Sequence, residues 1–365
     1  DTPAGTALRD KLGFEDGDGR PAIIIETRLD HGIVPVSSVS GENASLMPGL
    51  GRATSHVSVE AADGTITPLP GVIHTSIGLT GAVNSHYALE PGGTADVSWG
   101  AADVEVYGDA RKGRVKVAGW FDSFAMREND EGLSTGRLDI TADMTTTPYG
   151  FSVGDLDMRL ASIDANNAGQ QVHFGPLTLV SRSSLAGDRV DNDFELVFSM
   201  EDVPDVGTVA WTVRGNLKDL EAASLGRVLD GLERASEADV PAEIFAEVEA
   251  DLKRLVAAGF AADFEQLDVT LPEGTVGTSL NISIGESDPA GFVWTGVLLA
   301  LQAKADLNIP KPIFDRIAAQ NPNVQGAVAM GFLQLDGDTY RMAAEYRQGL
   351  LTVNGNPVPI PVPSM

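Results

Sequence analysis

Apolar and polar residues alternate with a period of two along much of this chain, and that period constrains its fold more than any other feature. Phe194, Leu196, Phe198 and Met200 share one side, with Asp193, Glu195 and Ser199 between them. Val209, Trp211 and Val213 repeat the pattern, as do Leu280, Ile282 and Ile284. The longest run sets Val297, Leu299, Leu301, Ala303, Ala305, Leu307 and Ile309 on one face and Gln302, Lys304, Asp306 and Asn308 on the other. Read as a single strand, this run spans roughly 40 Å, where about five or six residues is usual. A long, gently curved sheet is the natural home for it.

Turn residues separate the runs. Asp336-Gly337-Asp338 divides Met330–Leu335 from Tyr340–Tyr346, and Ala62-Asp63-Gly64-Thr65 divides Val57–Ala61 from Ile66–Leu69. Asp-Gly supplies the positive φ angles of a tight hairpin, so successive hairpins predict an antiparallel meander. Two stretches break the period. Residues 217–259 read as a helical hairpin, because Leu225, Val228, Leu229 and Leu232, then Ile244, Phe245, Val248, Leu252 and Leu255, recur at helical spacing. Asp239 and Pro241 mark its turn and Gly259 its end, with packing expected through Leu225, Leu229, Leu252 and Leu255. A short helix is expected over 312–320, and residues 1–12 are compatible with another. The prolines of Val353–Pro363 exclude a central strand and favour an extended tail.

The expected class is therefore α+β, mostly antiparallel β, with long curved sheets of meander hairpins and a helical-hairpin insertion. Its parts would be a β-rich region over 1–216, the insertion over 217–259, and a C-terminal β region with its tail over 260–365, in one continuous architecture.

Composition excludes several functions. With 25 Lys plus Arg against 52 Asp plus Glu, the net charge of −27 repels nucleic acid, and an anionic membrane surface is reachable only through a separate anchor. The absence of cysteine removes disulfides, zinc-thiolate sites and thiol catalysis, and is compatible with an oxidising periplasm and equally with a cytosol. No run approaches a membrane span. The chain begins at Asp1, which leads us to expect that a leader or anchor has been removed or trimmed.

The chemistry-bearing residues form no recognisable constellation. His31, His56, His74, His86 and His173 include no pair spaced for a helical metal site. His31 is expected in a turn after the strand Ile23–Leu29, where a hydrogen-bonded structural role outweighs catalysis. Glu15-Asp16-Gly17-Asp18-Gly19 lacks the terminal Glu of a calcium loop and reads as a solvated turn. No phosphate cradle is present. No cofactor or metal is expected.

The ending Tyr346-Arg347-Gln348-Gly349-Leu350-Leu351-Thr352-Val353-Asn354-Gly355-Asn356-Pro357-Val358-Pro359 resembles the C-terminal signature of the YdgA-like family of Gram-negative envelope proteins, with Asn356 in place of the usual Lys. Glu26-Thr27-Arg28-Leu29-Asp30-His31-Gly32 is similar to that family's strand ending in His-Gly-Pro, with Ile33 for Pro, and Asn308-Ile309-Pro310-Lys311-Pro312 is similar too. The motif residues are Gly349, Leu350, Leu351, Val353, Asn354, Gly355, His31 and Gly32. The resemblance implies a periplasmic protein tethered to the inner membrane, with no settled reaction and no catalytic residue to carry over.

The leading expectation is a non-enzymatic envelope protein that binds a lipid-like ligand on an apolar β-trough containing Val297, Leu299, Leu301, Phe198 and Met200. The same face could instead be ordinary core. A scaffold that oligomerises through strand edges, and an envelope hydrolase, are the alternatives.

Overall fold

The computed structural model describes residues 22–37, 46–60, 66–68, 71–93, 97–128, 131–167, 170–203, 206–237, 241–288, 294–321 and 324–359. The helix expected within 1–12, the turn at Glu15–Gly19, the turn at Asp239 and the residues after 359 lie outside them. Strand accounts for 66% and helix for 16%, so the mostly antiparallel α+β class holds. Two compact units form, Asp1–His173 with Ser236–Asp239, and Phe174–Ala235 with Val240–Met365.

Strands β1 Ala22–Ser37, β2 Leu46–Glu60, β3 Ile66–Pro68, β4 Val72–Gly78, β5 Ala82–Leu89, β6 Gly92–Gly93, β7 Val97–Trp99, β8 Ala102–Asp109, β9 Arg114–Phe121, β10 Phe124–Glu128, β11 Glu131–Thr135, β12 Leu138–Thr146, β13 Ser152–Leu160 and β14 Ile163–Asn167 build the first unit, and β15 Gln170–Phe174 crosses its border. β1-β2-β4-β5-β8-β9-β12-β13 form one antiparallel row. β6-β7-β10-β11-β14 form a second.

The second row continues the first across a crease. Pairs of residues interrupt four strands at Gly100-Ala101, Asp122-Ser123, Gly136-Arg137 and Ala161-Ser162. These interruptions bond to one another. Gly100 N–H donates to Ser123 O at 2.8 Å, Asp122 N–H to Ala101 O at 2.8 Å, Gly136 N–H to Ser162 O at 3.0 Å, and Ala161 N–H to Arg137 O at 2.8 Å. A side chain on Gly100 would begin 2.8 Å from Asp122 Cβ and Ser123 Oγ, so the close approach requires glycine. The bend brings Val97 and Trp99 against Leu89, Ala102, Tyr87 and Phe121, which is the core of this region.

The second unit contains β16 Leu177–Ala186, β17 Arg189–Val203, β18 Gly207–Glu221, helices α1 Ala222–Glu237 and α2 Pro241–Ala257, then β19 Phe260–Leu271, β20 Gly274–Ile284, α3 Trp294–Ala300, β21 Leu301–Pro310, α4 Lys311–Gln320, α5 Val324–Ala329, β22 Gln334–Asp336, β23 Thr339–Arg347, β24 Leu350–Val353 and β25 Asn356–Val358. Its strands run β16-β17-β18-β19-β20-β21-β23-β24-β25, all antiparallel, with β22 on β23 beside β24. Phe314 and Ala318 of α4, with Leu333, pack onto Leu307, Ile309, Tyr340 and Met342 and close one corner.

Four expectations are corrected. The long alternation is not one strand: Val297 and Leu299 lie in α3, and the strand begins at Leu301. Residues 297–301 are all apolar, so a period of two is unreadable there, and Leu and Ala favour helix. The helical hairpin begins at Ala222, because β18 continues to pair through Leu217 with Asn192 and Ala262. Glu221 then caps α1, its carboxylate accepting from Ala223 N–H at 3.1 Å and Ser224 N–H at 2.7 Å.

Within that hairpin Leu255 is buried, but Leu229 and Leu252 are 44% and 39% exposed. A side chain at Gly231 would collide with Val248, so the helices meet along Val228, Gly231 and Ala235, which turns Leu229 outward. The fourth correction concerns His31, which stands in β1 rather than in a turn. His31 pairs with Gly51 and Val34 with Gly49, so the His31–Val34 segment is a bulge with one extra residue and the strand runs on to Ser37.

Candidate functional site

The sheet of the second unit is sorted into an apolar and a polar face. Register carries the apolar face from Phe198 to Trp211 to Val269 to Val276, and in parallel from Leu196 to Val213 to Leu267. Phe198 and Trp211 stack at 4.6 Å with planes 10° apart. Phe194 and Phe264 meet edge to face at 5.9 Å. Gly215, opposite Phe194, makes this contact feasible, because a Cβ there would stand 2.6 Å from Asp263 O and 3.1 Å from Phe264 Cα. The opposite face carries Glu195 and Arg214, paired at 2.8 Å, and Gln302, Lys304 and Asn308, which are exposed.

Burial separates this sheet from a closed core. In β16 to β21 the buried hydrophobic residues are Val190, Val209, Leu220 and Ala262. Leu196, Phe198, Trp211, Val213, Leu267 and Leu280 are all half-buried. A sheet packed face to face on a second layer would hide such side chains almost completely. Toward β21 and β23 the same face carries Ala305 beside Ala344 and Ala303 beside Tyr346, whose hydroxyl donates to Leu298 O of α3 at 2.9 Å, and α4 covers its Leu307 and Ile309.

The five residues expected to form the trough do not come together. Phe198 and Met200 lie on β17. Register aligns Phe198 with the Ile309 end of β21, whereas Leu301 begins that strand, eight residues and roughly 26 Å away. Val297 is half-buried on α3, and Leu299 is 66% exposed. Leu267 and Val269 were hidden in the sequence by a bulge between Phe264 and Val269, which shifts the alternation by one residue.

The C-terminal motif is structural. Gln348 and Gly349 have φ of 54° and 81° and make the two-residue turn between β23 and β24. Asn354 and Gly355, at 49° and 77°, make the next one, between β24 and β25. Positive φ at both central residues is the type I′ requirement, which Asn-Gly meets best. Asn354 also accepts from Ala343 N–H at 2.9 Å and donates through Nδ2 to Gly331 O at 2.9 Å and Phe332 O at 3.1 Å. Val353 is buried, Leu351 half-buried and Leu350 54% exposed.

Other polar groupings are open. A depression of about 520 Å³ on β1 and β2 is lined by Glu26, Arg28, Asp30, Arg52, Thr54 and His56, with Arg52 3.2 Å from Asp30. His86 Nε2 lies 3.2 Å from Asp103, whose side chain is 47% exposed. His173 pairs with Asp164. His74 stands exposed opposite His86 across the β4–β5 pair. Asp143 is held at about 2 by hydrogen bonds from Arg114, at 2.7 and 2.6 Å, and from Lys116. Among the described residues no three His, Asp or Glu side chains are grouped to hold a metal ion, and no helix is long and apolar enough to cross a membrane.

No curated protein and no solved structure matches the chain. The model of one family, described as a bacterial protein of unknown function, matches from residue 14 to residue 361. A two-unit, mostly antiparallel β-chain matched over nearly its whole length by that model belongs to the bacterial family DUF945.

Proposed function

We propose that this chain is a non-catalytic protein of the bacterial envelope that holds an acyl chain or a similar apolar ligand on the open face of β17 to β20. The observation that carries the reading is the half-buried ladder of Leu196, Phe198, Trp211, Val213, Leu267 and Leu280. Apolar side chains left partly in water gain about 25 cal/mol for each Å² a ligand covers. Ten methylenes laid along them would contribute about 8 kcal/mol before ordering costs, enough to offset the freedom lost on binding. The resemblance to YdgA-like envelope proteins, together with the lack of cysteine, supports a periplasmic location with an anchor in the inner membrane.

The test is a titration with a fluorescent fatty acid, together with native mass spectrometry of protein purified from cells. Wild-type protein should bind the probe and carry lipid-sized adducts. Val213→Glu should lose probe affinity at least about tenfold while keeping its melting temperature, because a half-buried carboxylate on an open face stays solvated. Absence of probe binding by the wild type, or unchanged binding by the variant, would remove the proposal.

A further inference from the structure

The strand β1 is a long edge that the described chain leaves uncovered. Among the described residues it pairs with β2 alone. Ile25, Glu26, Thr27, Arg28 and Leu29 are all exposed, on both faces of the strand. Two of them are large and apolar, Ile25 at 58% and Leu29 at 57% exposure, and the Arg28 side chain is 84% exposed. Proteins commonly blunt such edges with proline or by keeping the strand short. β25 shows both devices: it is three residues long and contains Pro357. Over Ile24–Asp30, β1 shows neither.

We propose that two copies of this chain pair through β1, antiparallel, about a two-fold axis at Thr27. The sequence around Thr27 is complementary to itself in this register. Ile25 faces the partner's Leu29, and Glu26 faces the partner's Arg28; symmetry makes each of these contacts twice. The two exposed apolar residues then cover each other, and opposite charges stand directly across the ladder. The neighbouring symmetric registers are worse. Centring on Arg28 opposes Arg28 to its own copy and Glu26 to the partner's Asp30, and centring on Glu26 opposes two glutamates. Charge thus selects one register, and the two-residue side-chain period excludes slips by one residue.

This interface is independent of the apolar face of the second unit, so the two proposals fail separately. The experiment measures self-association of the wild-type chain and of Arg28→Glu, Glu26→Arg and the double charge swap, by sedimentation and native mass. Circular dichroism confirms that each is folded. The wild type should dimerise. Each single variant puts like charges opposite each other twice and should raise the dimer dissociation constant about tenfold. The double swap restores opposite charges and should return the constant to near the wild-type value. A wild type that stays monomeric at every concentration, a single variant that dimerises like the wild type, or a double swap that does not recover, overturns the proposal.

Discussion

The rings of Phe198 and Trp211 lie stacked at 4.6 Å on neighbouring strands, directly opposed in register, and both remain half-buried. Such a pair contributes about 0.5–1.5 kcal/mol beyond its burial, so it steadies this part of the sheet. The strand pair is thereby kept in register while both rings remain partly exposed.

The contrast between closed corner and open helix predicts a split in stability. Phe314 is 4% exposed and its ring lies 4.0 Å from that of Tyr340, whereas Leu299 is 66% exposed. Phe314→Ala should cost about 3–5 kcal/mol and Leu299→Ala less than about 0.5 kcal/mol. Urea unfolding monitored by circular dichroism measures both. Equal losses would mean that the α4 corner is no better packed than α3.

Asn354 combines a left-handed backbone with three side-chain hydrogen bonds. Asn354→Ala should cost roughly 2–4 kcal/mol, from the unpaired groups and the backbone strain together. Asn354→Gly relieves the strain but not the lost bonds, and should cost about 1 kcal/mol less. A ranking with glycine as the worse variant would contradict the turn geometry.

Gly215 separates strands that approach too closely for a side chain. Gly215→Ala should destabilise by about 1–3 kcal/mol, because Asp263 and Phe264 must move. The displaced Phe264 ring should also alter the aromatic near-ultraviolet circular dichroism. Stability equal to wild type would show that β19 can shift freely at its bulge.

Asp143 has its carboxyl lowered to about 2 by the hydrogen bonds from Arg114 and Lys116. The ordinary unfolded value is about 3.9, so the folded state prefers the ionised form. Its stabilising contribution is complete above that unfolded value and is lost as pH falls through the interval down to about 2. Asp143→Asn should therefore flatten the pH dependence of stability in that acid window and leave its slope near neutrality unchanged. An identical acid profile for the two proteins would remove the assignment.

A net charge of −27 should make the fold sensitive to salt. Screening relieves repulsion among exposed carboxylates, so the melting temperature should rise from dilute buffer to concentrated sodium chloride. A flat curve would mean that local pairs such as Arg227 with Asp251, at 2.6 Å, already balance the field.

The sequence by itself determined the class of this protein and much of its strand register. Alternation over Phe194–Met200 and Val209–Val213, and the turn Gly337-Asp338, are local properties, set by the side-chain period and by which residues accept positive φ. Tertiary structure decided the rest. Val297 and Leu299 are helical, and their uniformly apolar stretch offers no period from which to read that. Leu217 joined a strand because Asn192 and Ala262 offered hydrogen-bond partners on both sides. The His31 segment became a bulge because β2 continues past it. Which apolar residues share the open face depended on the bulge after Phe264, and bulges are set by pairing between strands rather than along one. Burial depends in the same way on what stands above a sheet. Phe314 and Phe198 both belong to apolar faces in the sequence, and only packing leaves one sealed and the other half-exposed.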